Sequence, residues 1–113
     1  MANVSKTLPT WASRSKFQYE GSVRAGTIIR YGTGFGFTDT ISAAEYSRML
    51  SKFSGKEVSI GTSRTSPPPG SLGEWFSIEC SHTAKTSYIG PILLEEGYAE
   101  RGSRSDRIRI KKA

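Results

Sequence analysis

Apolar positions recur along the chain with two periods, and the changes of period divide it into elements. Over residues 42–54, Tyr46, Met49, Leu50 and Phe53 fall at i, i+3, i+4 and i+7, which lays one apolar stripe along an amphipathic helix. Ser42 and Glu45 stand at the two positions of a capping box, with Ile41 and Tyr46 at those of a hydrophobic staple. Arg48 and Lys52 take the opposite side, and Gly55 follows as a stop. This stripe is read as core packing. Residues 71–80 are heavily apolar through Leu72, Trp75, Phe76 and Ile78. Ser71 with Glu74 at the cap positions favours a short helix there, although Trp, Phe and Ile also suit a buried strand over residues 74–80. In residues 83–96, Tyr88, Ile92 and Glu95 are spaced i, i+4, i+7 beside a row of Ile89 and Leu93. Pro91 leaves two readings. Either the helix starts there with Gly90 as its cap, or a longer helix from Thr83 is kinked at the proline. Gly97 suits a left-handed C-terminal cap.

Elsewhere the period is two. Phe17 and Tyr19 alternate with Lys16 and Gln18, a turn signal follows at residues 20–22, and Val23 and residues 27–31 continue as a second strand. Residues 57–61 alternate as one short strand. Tyr98, Ala99, Glu100 and Arg101 read as a strand, residues 102–106 as a loop, and residues 107–111 alternate charged with β-branched side chains. In that last run Ile108 and Ile110 face a core, while Arg107, Arg109 and Lys111 face outward. Residues 1–15 show no periodic face and read as a flexible lead, with Trp11 docking back onto the domain. Residues 62–70, with Pro67, Pro68 and Pro69, read as a stiff extended connector. The pattern predicts one α+β domain over residues 16–112, with two or three helices, short antiparallel strands and an N-terminal hairpin.

Composition narrows this further. The 113 residues fit one domain, and 35% hydrophobic content with twelve aromatics excludes a chain disordered throughout. Cys80 is alone, so no intrachain disulfide forms, and the reading is a cytoplasmic protein. No signal-peptide core and no run of eighteen apolar residues is present, so no membrane partner is expected. The net charge of +6 is uneven: five bases against one acid in residues 1–30, five against seven in residues 31–96, and six against two in residues 97–113. Basic ends around an acidic middle point to a polyanion, most often nucleic acid.

A helix, a glycine stop and a basic hairpin, spelled "LLEEGYAERGSRSDRIRIK", resemble the second half of a winged helix–turn–helix domain, with residues 97–111 as the wing. That resemblance implies a winged-helix-like fold and places Lys85, Thr86, Ser87 and Tyr88 near the exposed face of the second helix. It makes Arg101, Arg104, Arg107, Arg109 and Lys111 the phosphate clamp, since guanidinium forks suit phosphate oxygens in pairs. The expected partner is nucleic acid, DNA before RNA. The second reading is a non-catalytic protein-interaction or adaptor domain, docking through apolar surplus around Trp75, Phe76 and Tyr88.

The run "GTIIRYGTGFGF", residues 26–37, resembles the first RNA-binding strand pair of cold-shock domains, which implies base stacking by Phe35 and Phe37. No second aromatic motif of that family follows, and a helix comes where it has strands. Filling the core from a hairpin is therefore the reading preferred for these two rings. The GxGxG spacing lacks a following Gly-Lys-Ser/Thr and is no phosphate loop. His82 is the one histidine, which excludes a two-histidine metal site, and one cysteine excludes a structural zinc site. Cys80 and His82 have no orienting acid in the pattern, and Glu95 and Glu96 diverge on a helix. No enzyme, metal or cofactor is expected.

Overall fold

A computed structural model describes residues 5–62, 67–80 and 86–112. The chain begins with an antiparallel meander of four strands in sequential order: β1 (Lys6–Pro9), β2 (Lys16–Ser22), β3 (Gly26–Tyr31) and β4 (Phe37–Ile41). The helix α1 (Ala43–Phe53) follows, then β5 (Glu57–Ser59), α2 (Leu72–Glu79), α3 (Thr86–Glu95), β6 (Ala99–Arg101) and β7 (Arg107–Ile110). The last three strands form a second antiparallel sheet in the order β5-β7-β6. The α+β class and the short antiparallel strands are as expected, and no described helix is long and apolar enough to cross a membrane.

Each helix ends where its residues dictate. Ser42 accepts the Glu45 amide while the Glu45 carboxylate accepts the Ser42 amide, so the capping box of α1 is complete. Ser71 accepts from the Glu74 amide on α2, but Glu74 turns its own carboxylate to the Gly70 amide instead. At the end of α3 the Tyr98 amide reaches the Leu93 carbonyl and the Gly97 amide the Leu94 carbonyl, a Schellman closure.

The two sheets and three helices share one core. Sheet 1 contributes Phe17, Tyr19, Ile29 and Ile41; α1 gives Tyr46, Met49 and Phe53; α3 gives Ile89, Ile92 and Leu93; β7 gives Ile108 and Ile110. Polar groups entering this core are paired, as burial requires. The Tyr46 and Thr27 hydroxyls lie 2.7 Å apart, and Glu96 accepts both the Tyr19 hydroxyl and the Val23 amide at 2.9 Å.

Three details differ from the expectations, and one open reading is resolved. The hairpin predicted at the N-terminus is a four-stranded meander, because β4 adds a strand after the glycine run. Within the segment expected as a lead, residues 6–9 pair with β2, while Trp11 is buried as expected of a docked side chain. Of the two readings left open at Pro91, the helix α3 takes the one that runs through the proline. In the connector, the Ser71 amide bonds the Pro68 carbonyl, so its end is a turn; residues 63–66 lie outside the described residues.

Candidate nucleic-acid interface

The closing ribbon carries most of the expected clamp, and its alternation is as predicted. Ile108 and Ile110 are fully buried, and Arg107 and Arg109 project from the other face of β7. Those guanidinium groups are already engaged. The strand register sets Glu57 of β5 and Glu100 of β6 on either side of Arg109. Arg109 pairs with Glu57 at 3.0 Å and with Glu100 at 2.8 Å, and Arg107 pairs with Glu57 at 3.0 Å. Arg107 also donates to the Glu57 backbone carbonyl, and the Ser103 hydroxyl and amide both donate to the Glu57 carboxylate. The Ser103 hydroxyl leads in holding the Glu57 carboxyl down to about 2, with Arg107 and Arg109 adding to it. Two arginines and two glutamates sum to zero charge, so on this face the arginines already have acid partners. Lys111, beyond it, is exposed and forms no ion pair among the described residues.

Arg101 departs further from the expectation. The register places it opposite Ile108, on the core-facing side of the ribbon. Its guanidinium covers the Trp11 ring at 4.3 Å and donates to the Trp11 carbonyl at 3.2 Å. Trp11, only 5% exposed, is the hub of this corner. Its indole N–H donates to the Ser105 carbonyl in the β6–β7 loop at 2.8 Å. Its backbone amide donates to the Ser87 carbonyl of α3 at 2.9 Å. That second bond has a cause in the sequence. Ser87 lies four residues before Pro91, and a proline has no N–H to give the carbonyl four residues back. The carbonyl thus orphaned is taken by Trp11. Gly90 completes the seat, since a Cβ there would come within 2.6 Å of the Trp11 ring. The Gly-Pro pair inside α3 is therefore a notch for the N-terminal tryptophan.

This clamp ties the turn of residues 10–15 to the loop of residues 102–106. Arg14 and Lys16 on the first side and Arg104 on the second are exposed and make no ion pair among the described residues. Asp106 is the acid on the second loop. Arg30 in the neighbouring strand is held by Glu20 at 2.9 Å.

An aromatic row runs along the same end of sheet 1. Phe17 meets Tyr88 edge-on at 5.2 Å, Tyr88 stacks on Tyr31 at 5.0 Å, and Tyr31 stacks on Phe37 at 5.7 Å. Tyr88, expected on an open recognition face, is thus half-buried under the sheet. Thr86 is fully buried and donates its hydroxyl to the Gly61 carbonyl at 2.9 Å. Lys85 lies outside the described residues. Apart from Glu95, every residue of α3 is buried or half-buried. The helix packs against β1 of the meander, against α2 and against β6.

The expected site is therefore divided. Among the described residues Arg104 forms no ion pair, Arg101 lies over Trp11, Tyr88 stacks on Tyr31, and Arg107 and Arg109 pair with acids. Arg14 and Lys16 were not expected as site residues; the dense bases of residues 1–30 are the sequence signal that marks them. The Cys80 thiol is raised to about 11, chiefly by burial and then by Glu45, which keeps it protonated at neutral pH. No group of three His, Cys, Asp or Glu side chains among the described residues could hold a metal ion. The chain matches no family model, no curated protein and no solved structure.

Proposed function

We propose that this chain is a small nucleic-acid-binding module that contacts phosphates through the corner clamped by Trp11. The observation carrying this reading is that Arg14, Lys16 and Arg104 lie exposed, without ion pairs among the described residues, on and beside two loops that one buried tryptophan joins. A rigid frame holding uncommitted cations suits a polyanion, because little backbone order has to be gained on contact. The helix pair α2–α3 followed by the ribbon β6–β7 keeps the order that the winged-helix resemblance implies. In this module the wing tip and the N-terminal turn touch the backbone, and α3 stays covered. Such contacts give affinity and register more than sequence choice.

The test is fluorescence anisotropy with a labelled mixed-sequence oligonucleotide at rising salt. Three phosphate contacts predict a log–log salt slope of about −2 to −3. Affinity unchanged between low and high salt would refute the phosphate role.

A second reading, as a protein-interaction domain, is favoured by Ile78, which is 70% exposed. It borders a groove of about 520 Å³ with an apolar floor of Phe53, Val58 and Trp75 and with Lys52 and Lys56 on its rim. A protein that self-associates in solution and ignores both DNA and RNA would support this reading over the first.

A further inference from the structure

We propose that a second copy of this chain occupies the groove beside α2, so that two copies pair about a two-fold axis running along it. This rests on the protein-interaction reading of that groove above and names its occupant. The groove shares no lining residue with the pocket at the Trp11 corner, so a dimer here leaves that corner open.

The apolar side chains of α2 extend past one face. Leu72, Gly73 and Phe76 are buried on the core side. Trp75 is half-buried in the groove floor, and Ile78 beyond it is 70% exposed. A helix apolar over more than one face needs a second cover, and a single copy supplies only the first. The groove has its shape before any partner arrives. Gly73 lies against the Gly61 carbonyl with no room for a Cβ, and its amide donates to the Ile60 carbonyl at 3.0 Å. Phe53 meets Trp75 edge-on at 6.3 Å, and the Arg48 guanidinium lies over the Trp75 ring at 5.8 Å.

Charge selects the occupant. Lys52 in the last turn of α1 and Lys56 just beyond it line one wall, and Glu74 and Glu79 line the wall that α2 makes. None of the four forms an ion pair among the described residues; Glu74 accepts the Gly70 amide. The lining therefore sums to zero on a chain of net charge +6. Two copies of a cationic chain repel over most of their surface, and least where each presents both signs. A two-fold axis along the groove turns the acidic wall of each copy over the basic wall of the other. It also sets Ile78 of each on the other's floor of Phe53, Val58 and Trp75. The same residues then serve twice, as an isologous contact requires. A partner of one charge sign would meet its like on one of the walls. Because α2 has only eight residues, about 12 Å of helix, the contact is small and the dimer weak.

The experiment is sedimentation equilibrium of the full chain from low to high micromolar concentration. The wild type is expected to pass from monomer to dimer with a dissociation constant on the order of tens of micromolar. Ile78→Glu should raise that constant by about tenfold or more and, since the side chain is exposed, leave the thermal midpoint of the dilute protein unchanged. Two charge variants test the pairing of walls. One carries Lys52→Glu with Lys56→Glu. The other carries Glu79→Lys with Glu74→Gln, whose amide oxygen still accepts the Gly70 amide. Each should be monomeric alone, because like walls then face one another, and an equimolar mixture should dimerise at least as tightly as the wild type. A variant that merely unfolds cannot give that recovery. If the mixture stays monomeric, or if Ile78→Glu dimerises as the wild type does, the pairing is overturned. A wild type that stays monomeric at the highest concentration overturns the second copy as occupant and leaves the groove to an unlike protein, so this inference and the reading beneath it fail separately.

Discussion

Two arginine-bearing regions of this molecule look alike in the sequence and differ in what they can do. On the outer face of the ribbon, Arg107 and Arg109 meet Glu57 and Glu100 within 3.0 Å, and their charge is neutralised. At the Trp11 corner, Arg14 and Arg104 stand exposed, and the one arginine that is engaged, Arg101, lies over an indole and keeps its charge. The difference lies in strand partnership. β7 is the central strand of its sheet, so an acid from each neighbour falls beside its basic positions. At the loops that Trp11 joins, Glu57 is taken up by Ser103, Arg107 and Arg109, and Arg14 and Arg104 form no ion pair among the described residues. Counting cations along a strand measures charge; only the register says how much of it is available to a ligand.

The harshest way to break the contrast is to remove the clamp. Trp11→Ala deletes a buried indole, leaves the Ser105 carbonyl without its donor, and uncouples the two loops. A loss of about 3–5 kcal/mol in denaturant unfolding is expected. Gly90→Ala, which only pushes a methyl into the same indole, should cost about 1–3 kcal/mol. A Trp11→Ala protein as stable as the wild type would remove the tryptophan from the centre of this account.

A gentler comparison uses two double variants of equal charge. Arg14→Gln with Arg104→Gln should lower oligonucleotide affinity by about tenfold and reduce the salt slope by about 1 to 2. Arg107→Gln with Arg109→Gln removes the same two charges and should leave affinity within about twofold, since those groups have no charge to spare. Equal losses in both would erase the distinction between the regions.

The smallest effect comes from releasing the ribbon. Glu57→Gln with Glu100→Gln frees Arg107 and Arg109, so the salt slope should steepen by about 1 to 2 as new phosphate contacts become possible. The same glutamate predicts an acid dependence. Its carboxyl titrates at about 2 when folded against an ordinary 4.5, so its contribution is present above the ordinary value and is lost as pH falls toward 2. Thermal unfolding followed from pH 5 to pH 2 should fall less steeply in Glu57→Gln than in the wild type.

The helices were legible because their signals are local. The box of Ser42 and Glu45, the cap at Ser71 and the stop at Gly97 act within a few residues, and all three hold. The strand β4 was missed although Phe37, Asp39 and Ile41 alternate in it, because the glycines before it and the capping box after it read as a loop running into a helix. The strand β1 has Leu8 as its one apolar side chain and is defined by pairing with β2, which no local pattern carries. The partners of the arginines were hidden for the same reason on a larger scale. Glu57 lies fifty residues before Arg107, and Trp11 lies ninety before Arg101. Pro91 was visible as an obstacle to a helix, but its use as the source of a free carbonyl for Trp11 depends on a strand at the other end of the chain.

The most direct test is to map amide chemical shifts of the wild-type protein as a short single-stranded oligonucleotide is added. The account predicts the largest changes in residues 10–16 and in residues 101–106, with Glu57, Arg107 and Arg109 nearly still. Changes concentrated on the outer face of β7, with the Trp11 corner silent, would contradict it.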